Sequence, residues 1–121
     1  EDIMLFVKGK DSIKMFIEGE PCDHCAPKVM KANTSDGAGE KHVPVATFTD
    51  GVLEVKVGSV DHPMTPGHYI SWIYVETKDG GMFKYTKDLE KAVATFKVDK
   101  EEVVAVYEYC NLHGLWKLDI E

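Results

Sequence analysis

The sequence contains no arginine. All 14 basic residues among its 121 are lysines, set against 21 acidic ones, for a net charge of −7 and a pI near 5.2. Phosphate binding draws on a basic face and often on the arginine fork, so this balance argues against a nucleic-acid partner. No apolar run approaches the ~20 residues of a membrane span, which argues against a membrane role. No secretory signal is visible, although a chain that starts at Glu1 leaves a removed leader open; the expected location is the cytoplasm. Cysteine is scarce: three residues are an odd number and too few for a disulfide scaffold. Helical periodicity is nearly absent, and only Thr86–Val93 could pass for a helical turn. What is present is ordinary globular material, 44% hydrophobic and 29% charged, in one domain's length.

The chain reads as short strands separated by frequent turn signals. Ile3–Lys8 and Ile13–Glu18 flank Gly9-Lys10-Asp11-Ser12 as a first hairpin. Pro21 to Gly39 reads as a long irregular connection, broken by Pro21, Pro27, Asn33, Asp36, Gly37 and Gly39. Val43–Phe48 and Leu53–Val57 follow around an Asp50-Gly51 turn. In the second of these, Leu53, Val55 and Val57 alternate with Glu54 and Lys56 as an inward and an outward face. The loop 58–67 leads to Ile70–Thr77, which ends at the hairpin-type turn Lys78-Asp79-Gly80-Gly81. Met82–Thr86, Ala92–Val98, Val103–Tyr109 and Leu115–Ile120 complete the set. Eight or nine strands at spacings near ten residues predict an all-β fold, an immunoglobulin-like antiparallel β-sandwich. The strands after Gly39 are enough for a sandwich by themselves. Residues 1–39 are therefore expected to form a short N-terminal extension packed on a core domain of residues 40–121.

Four of the five histidines and one cysteine occupy strand ends and loops: His42, His62, His68, Cys110 and His113. Loops at one end of a sandwich converge, so residues distant in sequence can share a site. Taken singly, each histidine reads as a surface or hydrogen-bonded core residue, and Cys110 as an inert buried thiol. Taken together, and with Cys-x-x-His placing a thiolate and an imidazole on one turn, they suit chelation of a single metal. Structural zinc stops at four ligands, whereas iron(II) accepts five and keeps a position open for a small molecule. A thiolate pushes electron density towards such a position, and four neutral imidazoles with one thiolate leave Fe²⁺ a local charge of about +1, attractive to a small anion.

Three segments carry a more specific pattern: Glu40-Lys41-His42-Val43-Pro44-Val45, then residues 57–70 around Asp61-His62-Pro63-Met64-Thr65-Pro66-Gly67-His68, then Cys110-Asn111-Leu112-His113-Gly114-Leu115-Trp116. The intervals are 20 residues from His42 to His62, 6 from His62 to His68 and 3 from Cys110 to His113. With this pattern the sequence resembles the superoxide reductases, the desulfoferrodoxin/neelaredoxin family, from Glu40 to the C-terminus. The resemblance implies one mononuclear iron in square-pyramidal geometry, with His42, His62, His68 and His113 equatorial and Cys110 axial. It implies one-electron reduction of superoxide to hydrogen peroxide, with the iron passing from Fe²⁺ to Fe³⁺ and an external donor, typically rubredoxin, reducing it again. Glu40 and Lys41 stand where the family has the same pair. Lys41 would supply positive potential and order the water that protonates the product. Glu40 would close onto the oxidised iron and help displace product, with Gly37 and Gly39 allowing the loop to move.

Longer family members carry a second iron bound by four cysteines in an N-terminal domain. Cys22-Asp23-His24-Cys25 offers only two cysteines and one histidine, so that second iron is expected to be absent. The pair could still hold zinc or form a redox disulfide. Trp72, Tyr74, Tyr107, Tyr109 and Trp116 read as core or interface aromatics, and Pro63, Pro66 and Gly67 as shapers of the ligand loop. The expected assembly is a homodimer, with a tetramer as the other arrangement. Two other readings stay open: a β-sandwich binding module with a structural metal, and an iron electron carrier or sensor.

Overall fold

The computed structural model describes residues 5–8, 13–16, 28–34 and 37–120. The chain divides into two compact units, Glu1–Lys31 and Ala32–Glu121. In the first, β1 (Leu5–Lys8) pairs antiparallel with both β2 (Ile13–Phe16) and β3 (Lys28–Val29), in the order β2-β1-β3. The expected first hairpin is therefore formed, and β3 lies within the segment that reads as irregular. Phe6 on β1 is buried. Cys22, His24 and Cys25 lie outside the described residues.

The second unit begins with a single helical turn, α1 (Gly39–His42), followed by β4 (Pro44–Thr49), β5 (Val52–Val57), β6 (Ile70–Thr77), β7 (Gly80–Tyr85), β8 (Val93–Lys97), β9 (Val103–Cys110) and β10 (Gly114–Asp119). The strands form two antiparallel sheets, β10-β9-β6-β7 and β4-β5-β8. Turn chemistry sets the register. Asp50 and Gly51 both adopt positive φ (49° and 78°), as a two-residue hairpin turn of the primed type requires, and Thr49 pairs with Val52 across them. Lys78 and Asp79 close β6 onto β7, with Thr77 paired to Gly80.

The core lies between the sheets. Leu53, Val55 and Val57 of β5 and Ala94 and Phe96 of β8 meet Ile70, Ile73 and Val75 of β6 and Val103, Val106 and Cys110 of β9. The alternation read in β5 is present, with Glu54 exposed and Lys56 only partly covered. Strand β9 differs in being buried on both faces from Ala105 onward. The helical turn lies at Gly39–His42, whereas within Thr86–Val93 residues 87–92 form turns and bends and Val93 opens β8. There the Thr86 hydroxyl donates to the Ile70 carbonyl (2.6 Å) and gives up helix-type pairing. Among the described residues, no helix is long and apolar enough to cross a membrane. The two sheets form an antiparallel β-sandwich, with α1, the 58–69 loop and the β9–β10 turn meeting at one end.

Candidate metal centre

The first ligand candidate, His42, closes α1, and a set of backbone contacts seats this turn. The Glu40 carbonyl accepts from the Val60 N–H (2.8 Å) and the Ser59 hydroxyl (3.2 Å). Gly58 makes this approach possible, because a Cβ there would lie 2.7 Å from the Glu40 carbonyl oxygen. Gly37 is wedged against the rings themselves, where a Cβ would stand 2.9 Å from His42 Cε1 and 3.0 Å from His113 Cβ. His62 and His68 come from the loop before β6. His68 ends the turn Thr65-Pro66-Gly67-His68, whose outer residues exchange backbone bonds (2.9 and 3.2 Å). Cys110 ends β9, and Asn111, Leu112 and His113 form the tight connection to β10, released by Gly114 at φ 80°.

These segments bring the five residues together. His42 Nε2 lies 3.1 Å from His62 Nε2 and 3.1 Å from His113 Nδ1. Cys110 Sγ lies 3.5 Å from His62 Nε2 and 3.8 Å from His113 Nδ1. Ligand atoms of His42, His68, Cys110 and His113 all fall within 4.8 Å of one another. His42 and Cys110 are buried, and His68 and His113 half-buried.

The protonation pattern fits a cation. His42 Nδ1–H donates to the Ala38 carbonyl and His62 Nδ1–H to the Pro63 carbonyl, each at 2.7 Å. A carbonyl can only accept, so both protons sit on Nδ1 and both Nε2 atoms carry lone pairs. Two lone pairs facing each other at 3.1 Å repel unless a positive ion lies between them. Adjacent nitrogen donors sharing one first-row ion at ~2.1 Å sit ~3 Å apart. His68 Nε2 is buried with no hydrogen-bond partner among the described residues. Burial, opposed in part by the carbonyl bonds, lowers the basicity of His42 and brings His62 down to about 4, so both rings are neutral and ready to ligate at pH 7. Burial pushes the Cys110 thiol up, although the His113 and Leu112 N–H groups donate to it. An ion bound there displaces the thiol proton. Five donors, one of them a thiolate, exceed what structural zinc uses and suit iron.

Glu40 and Lys41 are exposed on the turn that carries His42. Burial is the largest cause of the lowered basicity of His42 and His68, and the positive charge of Lys41 adds to it in both, so its ammonium lies within electrostatic reach of the site.

Other residues serve the site without a signal in the sequence. Trp116, read as a core aromatic, stacks on His42 (centroids 5.0 Å apart, 24° between planes) and donates from Nε1 to the His113 carbonyl (3.1 Å). Glu108, fully buried on β9 two residues before Cys110, lies within electrostatic reach of its thiol. Asn111 reads as a spacer inside Cys-x-x-His, yet both ends of its amide are bonded.

A family model described as desulfoferrodoxin matches residues 34–119. The chain is 40% identical over 125 residues to a desulfoferrodoxin of Clostridium acetobutylicum, covering 98% of each. It is 37% identical over 106 residues to a superoxide reductase of Pyrococcus abyssi, covering 73% of this chain and 92% of that protein. The crystal structure of the superoxide reductase from Treponema pallidum matches with a TM-score of 0.83 at 32% identity, covering 97% of this chain and 99% of that one.

Proposed function

The chain belongs to the desulfoferrodoxin family, and we propose that it is a superoxide reductase whose single iron is held by His42, His62, His68, His113 and Cys110. The observation that carries this reading is the convergence of five donors in which the Nε2 lone pairs of His42 and His62 face each other at 3.1 Å. When bound, the iron supplies one electron, passing from Fe²⁺ to Fe³⁺ as superoxide and two protons become hydrogen peroxide.

The chain's own residues do the rest. With a net charge of −7 the protein as a whole repels superoxide, so a local positive field is needed at the site. Lys41 provides it from the exposed end of α1, and orders the solvent from which the protons come. The His42 and His62 rings are not the proton source, because their Nδ1 protons are committed to carbonyls. Glu40 brings a carboxylate on the same turn to help displace the product anion. A rubredoxin-like protein serves as the external electron donor, and the chain acts as a homodimer in the cytoplasm.

The test combines metal content, a visible spectrum before and after mild oxidation, and product analysis. The expected result is about one iron per chain, a thiolate-to-Fe³⁺ band on oxidation, and peroxide formed from superoxide without release of oxygen. A colourless zinc protein whose iron-reconstituted form leaves superoxide untouched would end this reading.

A further inference from the structure

We propose that Asn111 is a positioning residue of the metal centre, whose carboxamide clamps the His68 loop to the Cys110 turn and so aims His68 at the ion; this rests on the ligand set given above. Among the described residues the ligands are steadied in different ways. His42 and His62 are held through their rings, by Nδ1–H bonds to the Ala38 and Pro63 carbonyls. The His113 backbone is held by the Trp116 indole. The His68 ring has no such anchor, and its buried Nε2 is unpartnered among the described residues. Without a ring hydrogen bond, its direction rests on its backbone and on edge contacts with the His62 and His113 rings.

That backbone is gripped on both sides by one residue. Asn111 Oδ1 accepts from the Tyr69 N–H (2.8 Å), and Asn111 Nδ2 donates to the Gly67 carbonyl (3.0 Å). The Asn111 N–H adds a third bond, to the Tyr69 carbonyl (3.1 Å). The partners flank His68 in sequence, and Asn111 itself adjoins Cys110. The carboxamide offers a donor and an acceptor at this reach, so the side chain couples two ligand-bearing loops 42 positions apart in sequence. Outer-sphere partners of this kind typically change metal retention by ~10–100-fold when removed.

The test measures how fast a chelator strips Fe²⁺ or Co²⁺ from the loaded chain, together with the position of the thiolate-to-metal band. Asn111→Leu, similar in volume but without donor or acceptor, is expected to lose the ion ~10–100-fold faster and to shift the band. Leu53→Ala is the comparator, since Leu53 is buried at the far end of β5 from the ligands and its loss destabilises the fold without touching the site. Parent-like retention and spectrum in Asn111→Leu would overturn the proposal, as would an equal acceleration in Leu53→Ala. Should Asn111→Leu not fold, Asn111→Asp keeps the acceptor for Tyr69 and loses the donor to Gly67, and carries the same test. Retention is read without superoxide, so a chain inactive as a reductase would refute the preceding section while the stripping rates still decide this one.

Discussion

Glu108 makes the stability of this fold depend on pH in a direction opposite to that of most carboxylates. It is 0% exposed on β9, and neither carboxylate oxygen has a partner among the described residues. Burial pushes its carboxyl well above the ordinary value of 4.5, so the folded chain keeps a proton that the unfolded chain gives up. Stability from this group is complete below pH 4.5 and declines as pH rises towards the raised folded value. Glu108→Gln carries no titrating proton, so its buried amide changes stability by an amount independent of pH. The stability of Glu108→Gln relative to the parent should therefore grow as pH rises above 4.5, by on the order of 1 kcal/mol per pH unit for as long as the folded carboxyl keeps its proton. The assay is urea unfolding of both metal-free chains at each pH, which keeps ion release out of the comparison. Parallel stability curves for the two proteins would mean that Glu108 is ionised in the folded state and that the burial argument is wrong.

Three further outcomes follow from the site. Lys41→Ala should slow the encounter with superoxide by about tenfold at low ionic strength, with the difference shrinking as salt is added, because only the field at the site changes; equal second-order rates in pulse radiolysis would count against a steering role. Gly58→Ala should destabilise the chain by about 1–3 kcal/mol and loosen the ion, since the new Cβ meets the Glu40 carbonyl at 2.7 Å, whereas Gly39→Ala, with nothing within 4 Å, should be nearly neutral. Comparing their melting temperatures and metal contents checks both, and indistinguishable variants would contradict the seating of α1. Removing the metal should expose His62, depressed from 6.5 to about 4: its stability contribution, complete above pH 6.5, should fall by about 3 kcal/mol as pH drops to 4. The measurable form is the stability gap between parent and His62→Gln in metal-free protein, and a gap that does not narrow with acid would rule out a neutral buried ring.

The five candidate donors stand out in the sequence because their residue types and their spacing agree. Histidine and cysteine are uncommon in this chain, and most of them stand where strands give way to loops. Strands were equally legible wherever one face is wet: β5 alternates cleanly, and Asp50-Gly51 names its own turn. What escaped reading is contact across segments. Strand β9 is buried on both sides, so Val106, Glu108 and Cys110 cannot be told from Ala105, Tyr107 and Tyr109 as the inward set by alternation alone. The stacking of Trp116 on His42 and the two-ended grip of Asn111 depend on residues far away in the chain, and no local pattern marks either. Four-residue α1 lacks a side-chain cap and is too short to show periodicity; tertiary contacts to Ser59 and Val60 hold it.

The ligand set spans 71 positions from His42 to His113, and its members hang from three separate places on one end of the sandwich. An ion bound there stabilises the folded chain by mass action, because the unfolded chain does not gather these donors into one place. The donors converge only where β4, β6 and β9 are all in their places, so metal binding is coupled to folding. The Asp50-Gly51 hairpin at the opposite end owes nothing to the ion. Stripped of metal, the protein should therefore come apart from one end, with amides around His62, His68 and His113 exchanging first and those of β5 near Leu53 holding longest.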